Sequence, residues 1–344
     1  MTRTEGFCLT VVVPCYNAES YMARAVDSVL SPGFGDVELI LVNDGSRDRT
    51  EALAEGYARA NPGRVRAVHQ ENRGHGGAVN TGIALARGAY LKVLDSDDWF
   101  DLPAFRRLVE TLRMLLFRET PVDALVSNYV YEKQGARRKK TMHYRRILSR
   151  NKILTWDQVG RFPAGKYLMM HSLTYRTQVL RESGLRLPEH TYYVDNLFVC
   201  VPMRRVHSLY YLDEDLYRYY IGRDDQSVNE SVMIRRIDQQ LRVNTLVIEN
   251  FLRDPTGRRR LEEYLFHHLE IVTAISSVLL IKAGTPEHTE LKDTLWQGIA
   301  AMDPGLYKRL HRRGLGVLVN LPGLAGKLAA ATAYGMTRLL FGFN

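Results

Sequence analysis

Cysteine is scarce in this sequence, and its placement argues against two kinds of site. The 344 residues include three cysteines, Cys8, Cys15 and Cys200. They are too few and too scattered for a disulfide framework or for a zinc site built from protein ligands. Because disulfides are rare in reducing compartments, this cysteine usage predicts a cytoplasmic protein.

Long apolar runs are missing as well. Residues 10–13 are apolar, but Pro14 follows them directly, so the run does not have the form of a secretory signal. No uninterrupted apolar run reaches the roughly 20 residues that a membrane-spanning helix needs. We therefore expect neither a signal peptide nor a transmembrane helix.

Two common nucleotide-binding fingerprints are incomplete or absent. Gly74 and Gly76 resemble the start of a dinucleotide-binding loop, but that loop requires a small residue where Val79 stands. The glycines also follow the third predicted strand, whereas the fingerprint follows the first. No glycine–lysine pair followed by serine or threonine comes after a strand, so a P-loop is absent too. Both nicotinamide and P-loop nucleotide chemistry are therefore disfavoured.

Acidic residues are missing after Asp303, where all the charged side chains are basic. They are Lys308, Arg309, Arg312, Arg313, Lys327 and Arg338. A second basic run occupies residues 137–140, and the net charge of the chain is +9. This excess predicts an anionic partner, such as nucleic acid, a membrane surface or a phosphate-bearing substrate. A solvated basic face is the alternative.

The first third of the chain alternates between strand-like and helix-like patterns. Short apolar runs predict strands at residues 9–13, 37–42, 65–69 and 91–94. Helical spacing predicts helices between them, at residues 18–30, about 48–60, and 76–86. This alternation is typical of a mostly parallel α/β sheet with helices packed on its faces.

Polar residues follow each predicted strand. The four loops are residues 14–19, 43–48, 72–77 and 95–98. In parallel sheets, ligands bind beyond the carboxyl ends of the strands, so these loops are expected to share one edge. The last loop holds Asp95, Asp97 and Asp98, which would repel one another unless a cation such as Mg²⁺ or Mn²⁺ lies between them. A solvated acidic turn is the alternative.

Four motifs, taken together, resemble glycosyltransferase family 2, whose fold is called GT-A. They are VVVPCYN at residues 11–17, VNDGS at 42–46, NRG with NTG at 72–82, and LDSDD at 94–98. The resemblance covers roughly the first 200 residues, with the motifs in family order and spacing. One departure is Asn43, where many members carry a further aspartate.

The resemblance implies a role for each loop. The residues that would contact the nucleotide sugar are Pro14, Tyr16, Asn17, Asp44, Asn72, Gly74 and Asp95. Within this set, Asp44 would bind the base, usually uracil, and Asp95 would lie near the ribose. Asp97 would hold the metal on the diphosphate. Asp98 would either assist it or begin the helix that follows Leu102.

Asp195 lies among aromatic and apolar residues, where a carboxylate is costly to bury. Its pKa is therefore expected to rise towards a value that suits a base. The resemblance implies that Asp195 is the catalytic base, although Val194 replaces the glutamate that usually precedes it. The alternative is an N-cap for a helix beginning at Asn196, and the two roles are compatible.

Two histidines are candidates for the acceptor or sugar pocket. His75 lies in the glycine-rich loop, and His171 precedes a predicted strand. A structural histidine is the alternative for each of them.

Residues 216–228 resemble the family segment that closes over the donor. A further metal-binding histidine is common there, but Tyr220 occupies its position. Arg223 would pair with the diphosphate, and Gln226 and Ser227 would add hydrogen bonds. A surface turn with solvated charges is the alternative.

The pattern becomes helical after Asn229. We expect a catalytic domain at residues 1–228 and an appended helical domain at 229–344, whose basic and apolar tail begins at about residue 305. The tail suits an interfacial segment on an anionic membrane, such as the inner face of the plasma membrane. A helix pair packed on the domain or in a homo-oligomer is the alternative.

These expectations combine into an inverting glycosyltransferase that uses Mn²⁺ or Mg²⁺. It would move a sugar from a UDP-sugar to a hydroxyl of a glycan, lipid-linked glycan or teichoic-acid-like acceptor in envelope polysaccharide synthesis. One rival is a sugar-nucleotide nucleotidyltransferase, but residues 14–19 lack the basic residue its first loop usually has. The other is a non-enzymatic binder of polyanions or membranes. Acids at the sheet edge would repel nucleic acid, so no nucleic-acid partner is expected.

Overall fold

A computed structural model of the chain describes residues 6–133, 135, 139–222, 229–323, 326 and 332. The chain divides into two compact units. The first contains Met1–Gly160 and Leu168–Tyr220, and the second contains Arg161–Tyr167 and Ile221–Asn344. The domain boundary predicted after residue 228 stays a prediction, because residues 223–228 lie outside the described part of the chain.

The first unit is built on a ten-stranded mixed sheet. Its strands are β1 (Leu9–Cys15), β2 (Val37–Asp44), β3 (Val65–Gln70), β4 (Tyr90–Val93), β5 (Trp99–Phe100), β6 (Ala124–Lys133), β7 (Lys140–Met142), β8 (Ile153–Thr155), β9 (Leu173–Arg176) and β10 (Ser208–Ile221). The main strand order is β3-β2-β1-β4-β9-β6-β10-β5. In addition, β7 pairs with β6, and β8 pairs with β10.

The parallel half of the sheet is the part that the sequence predicts. β1 lies between β2 and β4 and is parallel to both, and β2 is parallel to β3. All residues of β1, β2 and β4 are buried, as their continuous apolar runs require. The carboxyl ends of these strands therefore meet at one edge, which confirms the predicted α/β sheet. β9 then pairs antiparallel with β4.

Six helices accompany this sheet in the described residues. They are α1 (Met22–Leu30), α2 (Thr50–Ala60), α3 (Gly74–Leu85), α4 (Leu102–Phe117), α5 (Thr177–Glu182) and α6 (Asp195–Met203). The side chain of Asp101 accepts a hydrogen bond from the N–H of Ala104 and thereby caps α4. The suggestion that Asp98 begins this helix is therefore wrong.

The second unit is helical, as expected. Its helices are α7 (Glu230–Arg235), α8 (Ile237–Phe251), α9 (Arg259–Ala283), α10 (Pro286–Met302), α11 (Pro304–His311) and α12 (Gly314–Val319). Ile237 of α8 packs in one cluster with Leu279 and Leu280 of α9. By length and composition α9 could cross a membrane, but 83% of its most apolar window is buried inside the protein. Such burial is typical of a core helix.

The start of the basic tail packs within this unit. α11 buries Leu306 and Leu310, and the Arg309 guanidinium lies 3.6 Å from the centroid of the Phe266 ring. The carboxylate of Glu270 accepts a hydrogen bond from the N–H of Leu315 in α12. These contacts favour the packed alternative for Pro304–Val319. Membrane binding by the remaining tail stays a prediction, since most of residues 324–344 lie outside the described part.

Candidate active site

The acidic loop lies directly beyond the carboxyl end of β4. The N–H of Leu94 still donates to the carbonyl of Val12 in β1, and then the chain turns. The N–H of Asp98 closes that turn by donating to the carbonyl of Asp95. Asp95 and Asp97 are partly exposed at the sheet edge, whereas Asp98 is fully buried.

Asp95 contacts two histidines from other parts of the first unit. Its Oδ1 lies 2.8 Å from Nε2 of His75, and its Oδ2 lies 3.7 Å from Nε2 of His171. Burial lowers the pKa of His75, but the hydrogen bond and the nearby charges of Asp95, Asp195 and Asp97 outweigh it, so that pKa is raised. Burial raises the pKa of Asp95, but the two histidines and Tyr217 outweigh it, so that pKa is lowered.

Asp98 is held by two donors from β10. The Tyr217 hydroxyl donates to Oδ2 of Asp98 over 2.7 Å, and the Tyr220 N–H donates to Oδ1 over 2.7 Å. Burial and the charges of Asp97 and Asp95 raise the pKa of Asp98 well above its usual range, despite these hydrogen bonds. A cation bound here would favour the ionised carboxylate.

His171 is buried next to this acidic loop. It lies in a short 3₁₀ helix, Met170–Ser172, just before β9, and it is 4% exposed. The imidazole packs against the rings of Tyr217 and Tyr219, at centroid distances of 4.6 and 4.3 Å. Burial, with the positive charges of Lys92 and His75, lowers the pKa of His171 to about 4 despite Asp95. The ring is therefore neutral at physiological pH.

The described residues fit a divalent cation at this point. Ligand atoms of Asp95, Asp98 and His171 all lie within 4.8 Å of one another. Carboxylate oxygens suit Mg²⁺ and Mn²⁺, and a neutral imidazole adds a nitrogen donor that suits a transition metal. Asp97, the metal ligand that the sequence predicts, is not a member of this group within the described residues, and its role stays a prediction.

Lys92 supports this cluster from inside the sheet, and its role did not emerge from the sequence. Its Nζ donates to the carbonyls of His171 over 2.8 Å and Leu173 over 3.1 Å. Burial lowers the pKa of Lys92 to about 7. The sequence does contain a signal for this role: Lys92 interrupts the apolar run of a central strand. A buried lysine needs specific partners, so its position indicates a structural or functional contact.

Asp195 lies near the charged side chains of His75 and Asp95. It is the first residue of α6, and Val194 occupies the N-cap position, so the interpretation of Asp195 as an N-cap is wrong. Burial raises the pKa of Asp195 to about 6; His75 lowers it and Asp95 raises it. Asp195 therefore has the elevated pKa expected of a general base.

The first two loops are joined by hydrogen bonds. Asn17, in the left-handed region at φ +48°, receives a bond at its Oδ1 from the Arg47 N–H and donates its own N–H to Ser46. Pro14 is buried in β1, while Tyr16 is 52% exposed beside it. The ring of Tyr16 is therefore accessible to a planar ligand.

Asp44 closes the second strand and organises the third loop. Its Oδ1 accepts hydrogen bonds from Gln70 Nε2 and from the Arg73 N–H, at 2.7 and 2.8 Å. The Asn72 side chain donates to the Asp44 carbonyl over 2.9 Å. These contacts bring Asp44 and Asn72 together, and their donor-binding roles stay predictions.

The glycine-rich loop packs closely against the segment that leads to Asp195. A Cβ on Gly74, which has φ +73°, would lie 2.9 Å from the nitrogen of His190. A Cβ on Gly76 would lie 2.6 Å from the Pro188 carbonyl oxygen. The side chain of Asn80 also bonds both main-chain groups of Leu187. These glycines thus permit close backbone packing, a role that a phosphate-binding motif does not encode.

We expect Gly76→Ala to destabilise the protein by about 1–3 kcal/mol, because the added methyl group collides with backbone. Urea unfolding measures this change. Gly56→Ala is the matched control: nothing lies within 4 Å of its Cβ, and it sits inside α2. That control should be stabilised by about 0.5–1 kcal/mol. Equal stability of the Gly76 variant and wild type would contradict the close packing.

Three predicted donor contacts cannot be placed. Arg223, Gln226 and Ser227 lie outside the described residues. Tyr220, the last residue of this segment within the first unit, bonds Asp98 through its main chain, and its ring lies 6.2 Å from that of Trp99.

The sequence profile of glycosyl transferase family 2 matches residues 10–175, which hold all four loops and His171. This region belongs to glycosyl transferase family 2. The family profile thus spans the parallel strands and the acidic loop, as the resemblance of the motifs predicts. Asp195 follows the matched region.

A curated relative extends the similarity further along the chain. The "Uncharacterized glycosyltransferase EpsJ" of Bacillus subtilis is 31% identical over 222 residues, which cover 61% of this chain and 60% of EpsJ. The chain therefore matches about three fifths of the length of that relative.

Solved structures share the fold over nearly the whole chain. S. aureus TarS 1-349, in complex with UDP-GlcNAc, has a TM-score of 0.68 at 17% identity, covering 97% of this chain and 91% of TarS 1-349. The mannosyltransferase PcManGT of Pyrobaculum calidifontis, in complex with GDP-Man and Mn²⁺, has a TM-score of 0.53 at 16% identity. It covers 96% of this chain and 87% of PcManGT. These similarities confirm the GT-A fold.

Proposed function

We propose that this protein is a metal-dependent, inverting glycosyltransferase with a UDP-sugar donor. The observation that carries the proposal is the grouping of Asp95, Asp98 and His171 at the carboxyl edge of a family 2 sheet. Asp195, whose pKa is raised to about 6, belongs to the same network of charges. TarS and PcManGT, which share the fold, were each solved with a sugar nucleotide, which supports this donor class.

The nucleotide would lie across the first three loops. Tyr16, Pro14 and Asn17 would border the base, and Asp44 would bind it. Asn72 and Gly74 would shape the adjoining part of the donor pocket. This arrangement is supported by the hydrogen bonds that join Asn17 to Arg47 and Asp44 to Arg73.

The negative charge of the diphosphate would be neutralised by a divalent cation held at the acidic loop. Asp97 would hold the divalent cation together with Asp95 and Asp98, and Asp95 would also lie near the ribose. When bound, the cation supplies charge stabilisation for the departing nucleoside diphosphate. Arg223, Gln226 and Ser227 would complete the donor contacts.

Asp195 would remove the proton from the acceptor hydroxyl. The acceptor oxygen then forms a bond to the anomeric carbon while the bond from that carbon to the diphosphate oxygen breaks. A single displacement of this kind inverts the anomeric configuration. The departing nucleoside diphosphate carries away the bonding electron pair, and Asp195 retains the proton until it is released to solvent.

His75 and His171 would lie on the sugar side of the site, with His171 next to the cation. His75 contacts Asp95, and the charge of Asp195 also raises its pKa, which makes it a candidate for orienting either the sugar or the acceptor. We propose a glycan or lipid-linked acceptor of envelope polysaccharide synthesis. The protein would act in the cytoplasm, with the part of the basic tail that follows Val319 at an anionic membrane surface.

Nucleotide binding by the purified chain tests the proposal. Titration calorimetry with UDP, GDP and UMP, in Mn²⁺ or in EDTA, should show the tightest binding for UDP with Mn²⁺. Removal of the metal should weaken UDP binding at least about tenfold, because the diphosphate then lacks its counter-charge. Absence of nucleotide binding, with salt-sensitive binding of RNA or DNA instead, would overturn the proposal in favour of a polyanion-binding protein.

A further inference from the structure

The donor-closing segment does not offer a histidine to the metal site within its described residues. Tyr220 stands at the expected position, and its main-chain N–H already donates to Asp98 over 2.7 Å. The acidic loop supplies oxygen ligands alone. A nitrogen ligand for this site therefore has to come from another element.

His171 is a nitrogen donor already directed at the acidic loop. Its Nε2 lies 3.7 Å from Oδ2 of Asp95, a separation longer than a hydrogen bond. Its ligand nitrogen and the carboxylate oxygens of Asp95 and Asp98 all lie within 4.8 Å of one another. Although Asp98 accepts two hydrogen bonds, each carboxylate oxygen has a second lone pair for a cation.

A buried histidine with a purely structural role normally has hydrogen-bond partners for its ring nitrogens, and within the described part of the chain His171 does not. Neither ring nitrogen has a hydrogen-bond partner among the described residues, although the side chain is buried. An unpaired buried polar group is costly and calls for an explanation. By contrast, the partly exposed His69 bonds both Asn43 and Glu55 through its ring nitrogens. A cation between His171 and the carboxylates would satisfy one of the two unpaired nitrogens.

The scaffold around His171 holds the ring in place. Lys92 bonds the carbonyls of His171 and Leu173, and the Ser172 hydroxyl donates to the Met169 carbonyl. Tyrosine rings pack on the imidazole from β6 and β10. A ligand held by these contacts is positioned before any donor binds.

We propose that His171 is the nitrogen ligand of the metal site, with Asp95 and Asp98 as oxygen ligands in addition to Asp97. This inference rests on the proposed function, since it names the ligands of the cation that the donor requires. It also predicts a preference for Mn²⁺ over Mg²⁺, because imidazole suits transition metals and Mg²⁺ prefers oxygen.

Metal binding without any substrate tests the assignment. Free Mn²⁺ is measured by electron paramagnetic resonance while the purified full chain is titrated. His171→Phe should weaken Mn²⁺ binding at least about tenfold, because even loss of a residue that only supports a metal ligand costs about that much. His268→Phe is the matched control, because His268 is also buried with both nitrogens unpartnered among the described residues, but lies in the second unit. Its Mn²⁺ affinity should equal that of wild type.

Thermal melting in EDTA separates loss of a ligand from loss of the fold. Phenylalanine removes the unpaired nitrogens, so the His171 variant should melt no lower than wild type in the absence of metal. If phenylalanine proves too large, His171→Gln provides the same comparison with a polar side chain and a weaker metal ligand. In that variant the ratio of Mn²⁺ to Mg²⁺ affinity should fall.

The outcomes distinguish this inference from the proposed function. Wild-type Mn²⁺ affinity in a folded His171 variant would overturn the ligand assignment, while UDP binding by the same protein would leave the proposed function standing. Absence of both Mn²⁺ and UDP binding in the wild-type protein would overturn both.

Discussion

Replacing Asp195 by asparagine is expected to reduce sugar transfer by about 10²–10⁴-fold, the usual contribution of a positioned general base. Asparagine keeps the shape of the side chain but cannot accept the proton. Donor binding should be unchanged, because Asp195 is assigned to the acceptor. Initial rates and UDP affinity, measured on the same preparation, check both parts of this expectation.

Glu189→Gln is the matched control for this substitution. Glu189 belongs to the same segment, but its side chain is 51% exposed and faces Arg73 at 3.8 Å. This control should transfer sugar at the wild-type rate. An Asp195→Asn variant that retains full turnover would show that another group is the base.

The pH dependence provides a second check on Asp195. The base must be ionised, and its pKa is raised to about 6, so kcat/KM should rise with pH and level off above that value. His75 and Asp95 are the charged groups that act on it. Since the pKa of His75 is also raised, the decisive observation is loss of the rising limb in Asp195→Asn. Persistence of that limb would assign it to another group.

Replacing Asp97 by asparagine is expected to abolish most of the metal-dependent part of UDP binding. The variant should bind UDP in Mn²⁺ about as weakly as wild type binds it in EDTA, because the loop loses the charge assigned to the cation. Asp238→Asn is a control with the same change of charge at an exposed position of α8. Unchanged UDP affinity of the Asp97 variant in Mn²⁺ would remove Asp97 from the metal site.

The parallel half of the fold was predictable because its determinants are local. β1 and β2 are continuous apolar runs that end in polar turns, and their observed bounds extend the predicted ones by two residues. The loops they position were therefore identified in the correct place. These loops meet at one edge of the sheet because the strands before them are parallel.

The rest of the site depends on contacts between distant parts of the chain. Lys92 and His171 are separated by 79 positions, and the antiparallel pairing of β9 with β4 brings them together. No local pattern encodes that pairing. The same holds for Gly76, whose glycine requirement arises from Pro188. The sequence therefore indicated His171 as a candidate but not its position beside Asp95.

The products formed from a sugar nucleotide test the central claim most directly. Purified chain with Mn²⁺ is mixed with one UDP-sugar at a time. Phosphorus NMR follows the phosphates, and proton NMR follows the configuration of the anomeric carbon through its attached proton. We predict that one donor yields UDP and a sugar whose first-formed anomer has the inverted configuration. Release of pyrophosphate, retention of configuration, or no consumption of any sugar nucleotide would contradict the account.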